Sequence, residues 1–300
     1  MKKPITDIKV KTAFDLEAEY KDYVARHDGL CLDLAEWIPA FGDYVRPLMP
    51  GELCIIMADT GVGKTGIVQN IATACGGLDF LMFELELPGT LCFERFAAMT
   101  NDTPSWVIER DYRAGKAHST AGFHNVDVVD EASMSPGRMQ ELVAYLKDTR
   151  GKTYQVLIVD YIGLLDCTKG RSRYERMSEA AAQLKVLARE TNTVVLAVTQ
   201  IHRKGDEPAE TITLHDAKDS SSIEQSAGLL LGAWREPDDP SVMHIKILKN
   251  TKGQGGKTIM ARMDGQRMTI KQHEQYSQFR AEEDGLVNVV DCAPWEEGVL

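Results

Sequence analysis

Residues Ala58, Asp59, Thr60, Gly61, Val62, Gly63, Lys64 and Thr65 follow the apolar run Leu53-Cys54-Ile55-Ile56-Met57 without a break. A strand that enters a glycine-rich turn and leaves as a helix points successive backbone N–H groups inward. The first helical turn adds the positive end of its dipole, which makes a cradle for phosphate. Asp59, Thr60, Gly61, Val62, Gly63, Lys64, Thr65 and Gly66 are therefore the expected binders of a triphosphate. Lys64 reaches the β- and γ-phosphates, Thr65 puts its hydroxyl on Mg²⁺, and glycines at 61, 63 and 66 let backbone approach ligand with no Cβ between. Ala58 stands where the usual pattern begins with glycine.

Three further groups sit where such a loop needs them. Val156-Leu157-Ile158-Val159 is a buried-type strand ending in Asp160, at the edge where open α/β sheets hold their ligands. Asp160 is the expected second holder of Mg²⁺. The run Phe83-Glu84-Leu85-Glu86-Leu87-Pro88 places two acids on one face of a strand end. A carboxylate there can orient and deprotonate an attacking water. Glu86 is taken as that base, and Glu84 as a solvated acid. Strand 193–198 leads into Thr199 and Gln200, whose amide both donates and accepts and so can sense a γ-phosphate; a cap or a solvent-facing amide is the competing reading. His202 reads as a surface residue.

The elements that position these groups alternate. Strands are expected at 53–58, 79–84, 126–129, 155–160 and 193–198, with helices at 64–75, between 90 and 114, at 136–149 and at 174–191. That order specifies a mostly parallel sheet with helices on both faces. Segments 228–234, 243–249, 257–263 and 267–271 have short connections, including the hairpin signal Asp264-Gly265, and read as antiparallel strands closing the fold. Ahead of the core, residues 12–27 read as an amphipathic helix with Leu16, Tyr20, Tyr23 and Val24 on one face and a capping signal in Thr12 and Asp15. Punctuated residues 37–50 read as a connector. The expected division is 1–46 linker helix and connector, 47–272 ATPase domain, and 273–300 acidic tail.

Net charge is −11, which argues against a broad nucleic-acid surface. Residues 281–300 carry six acids and no lysine or arginine, so much of the excess belongs to the tail. Against it stands a basic stretch, Lys169, Arg171, Arg173 and Arg176, opposed only by Glu175, and a second basic pair, Arg203-Lys204, after Gln200. Both are candidate contacts to a phosphate backbone, with a solvated charged face as the alternative. No apolar run approaches the roughly 18 residues that span a bilayer, and no secretory core follows Met1, so a cytoplasmic protein without membrane contact is expected. The six cysteines form no metal-ligand spacing and read as reduced core thiols.

The phosphate loop, Phe83–Pro88, Ile158–Ile162, Leu184–Glu190, Thr199–Arg203, Ser222-Ile223-Glu224-Gln225 and Lys249–Gly253 come in the order that resembles the RecA-like motor domain of DnaB-type replicative helicases. The resemblance covers about residues 30–272. It implies a RecA-like P-loop core in which Glu86 is the catalytic glutamate, Asp160 the metal-holding acid, Gln200 the coupling glutamine, and Lys249 a lysine reaching a neighbouring subunit. It also implies a hexameric ring moving on single-stranded DNA with ATP and Mg²⁺, with a loader or primase as partner. Loops after strands 155–160 and 193–198 would grip the strand, and helix 12–27 would be the linker that docks on the adjacent subunit.

Two positions depart from the family: Thr251 replaces the arginine finger expected two residues after Lys249, leaving Lys252 as substitute, and Gly163 replaces a glutamine. The family's collar domain is expected to be absent, since only about 45 residues precede the motor core, a form suited to a phage or mobile element. A RecA- or RadA-like repair ATPase and an ATP-binding oligomeric adaptor with weak hydrolysis are the other readings.

Overall fold

The structure, a computed structural model, describes residues 10–26, 29–166, 173–201, 212–213 and 221–274. Among these, one nine-stranded sheet runs in the order β3-β2-β4-β5-β1-β6-β7-β8-β9. Its parallel part is β1 (Leu53–Ala58), β2 (Phe80–Glu84), β3 (Val126–Val129), β4 (Val156–Asp160), β5 (Val194–Gln200) and β6 (Leu229–Arg235). The antiparallel part is β7 (Val242–Asn250), β8 (Thr258–Asp264) and β9 (Thr269–Gln272). This is the mixed sheet expected from the sequence, with most boundaries within a residue or two.

β1 and β4 are buried along their whole length because both sheet faces are covered, which is why they read as unbroken apolar runs. Alternate residues of β1 serve opposite cores. Cys54, Ile56 and Ala58 join α2 (Lys64–Ala74) and α3 (Gly89–Thr100); Leu53, Ile55 and Met57 join α5 (Pro136–Arg150), α6 (Arg173–Thr191) and α7 (Ser221–Ser226). α4 (Ser105–Arg113) packs beyond α3. Local chemistry sets the ends of α5: Ser135 Oγ accepts from Arg138 N at 3.3 Å, Pro136 opens the first turn, and Gly151 at φ 64° closes it.

Residues 32–48, which overlap the segment 37–50 expected as connector, are built into the first core: Leu32, Leu34, Ile38, Phe41 and Leu48 are all buried there. Trp37 stacks on Phe41 and donates its indole N–H to the Ile270 carbonyl at 2.9 Å, while Ala40 N donates to Gln272 Oε1 at 2.9 Å. The segment thus ties the beginning of the core to its last strand. α1 (Ala13–Arg26) carries the reciprocal cap read from Thr12 and Asp15, with Thr12 N to Asp15 Oδ2 at 2.8 Å and Asp15 N to Thr12 Oγ1 at 3.2 Å. Most of its apolar stripe is open to solvent: Leu16, Tyr20 and Val24 are 52%, 61% and 45% exposed, while Tyr23 is half-buried. The β8–β9 connection is a hairpin, but Asp264 ends β8 and a four-residue turn follows, with Asp264 Oδ1 accepting from Gln266 N and Arg267 N.

Candidate nucleotide site

The turn after β1 has the backbone that a phosphate cradle requires. Gly61 and Gly63 sit at φ 79° and 109°, where an L side chain is strained, and Gly63 caps α2. A Cβ on Gly63 would also stand 3.2 Å from Met263 Sδ and 3.4 Å from an Arg235 nitrogen, a tight fit that adds to the backbone preference for glycine. Ala58 needs no glycine because it is still strand, in register with Gln200 on one side and Ala233 on the other. Lys64 Nζ donates to the Asp59 carbonyl at 2.9 Å, and Thr60 N donates to Asp59 Oδ1 at 2.6 Å. Burial pulls the Lys64 pKa down, and Asp160, Asp59 and Glu86 oppose that pull by favouring its charge.

Parallel register brings the acids together. Glu84 is the partner of Asp160 across β2 and β4, and both are only 1% exposed. Glu84 is therefore no solvated acid, as the sequence reading had it. Its Oε1 accepts from Glu86 N at 3.2 Å and Leu87 N at 3.0 Å, which shapes the turn that carries Glu86 out of the strand and into the pocket. Glu84 and Glu86 thus part company instead of sharing a face, because the strand ends at Glu84. Burial first, then the neighbouring Asp160, raises the Glu84 pKa. Burial raises that of Asp160 as well, with a hydrogen bond from Thr65 opposing and Glu86 adding to the rise.

One pocket of about 340 Å³ is lined by Lys64, Thr65, Glu86 and Gln200, together with Arg95 and Arg235. The residues suit a hydrated divalent cation: Asp160 Oδ2 and Glu84 Oε2 are buried without a hydrogen-bond partner among the described residues, and the Thr65 hydroxyl lies on Asp160. An anionic all-oxygen set is what Mg²⁺ favours. Gln200, at the end of β5, donates its amide to Thr60 Oγ1, joining the strand end to the phosphate loop. Arg235 Nε donates to the Val62 carbonyl at 2.9 Å. Gly66 lies inside α2, facing Ile270.

Arg95 and Arg235 escaped the sequence reading. Arg235 ends an apolar parallel strand beside β1, the same signal that marked Asp160, and ending that strand at 234 hid it. Arg95 is a cation on a helix whose neighbours Cys92 and Phe96 are core, nine residues beyond Glu86.

Lys249 and Lys252 are not brought to this pocket. β7 runs against β6, so its end at Asn250 lies beside Leu229, at the edge away from the phosphate loop. The six residues of β1 alone separate the two edges by about 20 Å, beyond any lysine's reach. Lys249 Nζ donates to the Glu224 carbonyl, within the Ser222–Gln225 block, and Lys252 pairs with Glu52. Of the basic candidates, Lys169, Arg171, Arg203 and Lys204 lie outside the described residues, as does the side chain of Arg173; Arg176 is exposed on α6. The acidic tail beyond residue 274 lies outside them too.

Residues 38–272 match the family described as the DnaB-like helicase C-terminal domain. The chain belongs to that family. Replicative DNA helicases named DnaB from Mycoplasma genitalium and Pasteurella multocida are each 26% identical, over 69% and 71% of this chain and 50% of their own length. The chain thus spans about half the length of the curated relatives it matches. A solved DnaB-like replicative helicase, described with its interactions with primase, superposes at TM-score 0.72 and 18% identity over 89% of this chain and 68% of its own. A second solved structure, described as an ATPase domain, gives 0.73 and 17% over 89% of this chain and all of its own, and the RadB recombinase 0.53 and 15% over 81% of this chain and all of RadB.

The two departures from the family pattern, Gly163 and Thr251, each sit in a defined local setting. At Gly163 a Cβ would come within 2.6 Å of the Tyr161 ring, so the ring position excludes a longer residue. Thr251 gives both its N–H (3.0 Å) and its hydroxyl (3.1 Å) to the Gly228 carbonyl of the same chain. Among the described residues no helix is long and apolar enough to cross a membrane.

Proposed function

We propose that this chain is the ATP-hydrolysing motor of a ring-forming DNA helicase, moving on single-stranded DNA during replication. The observation that carries the reading is the Gln200–Thr60 hydrogen bond, because it joins the phosphate loop to the strand whose continuation holds Arg203 and Lys204. A change in γ-phosphate contact at Gln200 then moves the loop that grips DNA. β4 and β5 are adjacent parallel strands, and in the sequence Lys169, Arg171, Arg173 and Arg176 follow Asp160 as Arg203 and Lys204 follow Gln200.

In this reading Lys64 and the loop N–H groups of Asp59 to Gly66 hold the triphosphate, and Thr65 and Asp160 hold Mg²⁺. That ion would neutralise charge on the β- and γ-oxygens. Glu86 orients the attacking water and takes its proton, and Arg95 supports the acids from α3. Lys249 and Lys252 act on the site of the next copy in a hexameric ring, and α1 covers its exposed stripe on that neighbour. A cytoplasmic setting, a loader or primase partner, a phage or mobile-element source and an acidic tail (273–300) belong to the same proposal, with the expected linker (1–46) shortened to the residues before Leu32, because residues 32–48 are part of the motor core.

The test is ATP turnover with and without single-stranded DNA, coupled to unwinding of a forked duplex. Glu86→Gln is expected to lower turnover by about 10²- to 10⁴-fold while ATP still binds. Turnover indifferent to DNA would overturn the motor reading. It would favour the second reading, an ATP-binding oligomeric adaptor with weak hydrolysis, to which the inward-turned Thr251 lends support.

A further inference from the structure

At the sheet edge away from the phosphate loop, two cations share one carboxylate. An Arg46 guanidinium nitrogen lies 3.3 Å from Glu52 Oε1, and the Lys252 ammonium binds the same oxygen. Arg46 is held there by its surroundings. Val45 and Leu48 on either side are buried, and Leu48 exchanges backbone hydrogen bonds with Leu32 at 2.8 and 2.9 Å. The preceding carbonyl, of Tyr44, accepts from Asn250 Nδ2 at 3.0 Å, and Gly253 passes so close that a Cβ would stand 2.8 Å from that oxygen. Lys257 sits 5.8 Å over the Tyr44 ring. Residues 44–46 and the β7–β8 turn therefore form one stapled corner.

The corner faces outward. Arg46 and Lys252 side chains keep 45% and 41% of their exposure, while Glu52 keeps 15%. One carboxylate cannot neutralise two cations, and Lys249 and Lys257 add to the surplus. The opposite edge sets Asp59, Glu86 and Asp160 among Lys64, Arg95 and Arg235, and the triphosphate it would take makes it anionic. A head-to-tail contact between copies joins a cationic edge to an anionic one, the arrangement that closes rings.

We propose that Arg46 is the guanidinium that this chain presents to the nucleotide of a second copy, with Lys252 beside it. This rests on the ring-forming reading above. As water's oxygen bonds to the γ-phosphorus, the β–γ bridging oxygen leaves with ADP and water's proton passes to Glu86. Arg46 exchanges Glu52 for two equatorial γ-oxygens, which its planar fork spans and a lysine ammonium does not.

The experiment is phosphate release by full-length chains, alone and mixed. Arg46→Ala is expected to lose roughly 10³-fold in turnover or more, with ATP still bound, and Arg46→Lys, which keeps the pair with Glu52, is expected to lose most of it. Lys64→Ala has no working phosphate loop of its own but still offers Arg46. Mixed in equal amounts with Arg46→Ala, it is expected to restore turnover at about a quarter of the interfaces of a random ring. Glu52→Gln frees both cations and is expected to raise turnover. Mixed rings on a sizing column without any recovery, or Glu52→Gln losing as much as Arg46→Ala, would overturn the role of Arg46. A wild-type chain that stays monomeric with ATP would instead remove the ring reading itself.

Discussion

Asn70 offers the sharpest test of how the nucleotide pocket is held. It is 6% exposed on α2 and makes three hydrogen bonds: Nδ2 to the Gly66 carbonyl at 2.7 Å, Nδ2 to the Met268 carbonyl at 2.9 Å, and Oδ1 from Ile270 N at 2.8 Å. The last two clamp β9 and its turn onto the helix that begins at the phosphate loop, and Met268 lines the pocket. Each bond contributes about 1 kcal/mol net, so Asn70→Ala removes about 3 kcal/mol. Stranding the buried Ile270 N–H adds to that loss. Asn70→Asp keeps the volume and the acceptor but turns oxygen, charged, against two carbonyls; it is expected to cost at least as much as the alanine. Urea unfolding followed by tryptophan fluorescence measures this. With a slope of about 3 kcal/mol per molar, the midpoint falls by about 1 M, and nucleotide affinity falls with it as the β9 wall loosens. Were Asn70→Asp close to wild type, shape and not hydrogen bonding would hold the wall, and the clamp would be refuted.

Glu84 and Asp160 set a pH dependence. Both pKa values are raised in the fold, so their contribution is full in the acid range and is lost as pH rises through the raised values. Metal-free protein in chelator is therefore expected to lose stability from the ordinary carboxylate range up through neutrality, and Glu84→Gln to flatten that slope; an unchanged slope in the variant would sink the assignment. Deleting residues 1–28 removes α1, whose stripe residues Leu16, Tyr20 and Val24 are exposed. A folded, ATP-binding monomer is expected on a sizing column, and an unchanged oligomer would refute the docking role of α1.

Much of the fold was legible because it is written locally. Doubly covered parallel strands are apolar along almost their whole length, so β1 and β4 stood out, and helix ends announced themselves through Ser135-Pro136 and Gly151. Residues 37–48 were harder: their proline and glycine punctuation reads as connector, although Trp37 and Phe41 fill the core against β9. The four-residue turn after Asp264 was hidden by an Asp-Gly pair that usually marks a tighter hairpin.

By itself the sequence determined the phosphate loop and the acids at the strand ends, because strand, turn and helix there are contiguous and their chemistry needs no distant partner. Gly61 and Gly63 could be read from residue type alone, since only their backbone matters. Tertiary structure decided which far-apart groups meet. Glu84 became the buried partner of Asp160 through the β2–β4 register, Gln200 reached Thr60 because β5 lies beside β1, and Arg46 came to share Glu52 with Lys252. Those contacts follow strand order in the sheet, which departs from chain order, and the burial that turns an ordinary carboxyl into a perturbed one exists only once both faces are covered.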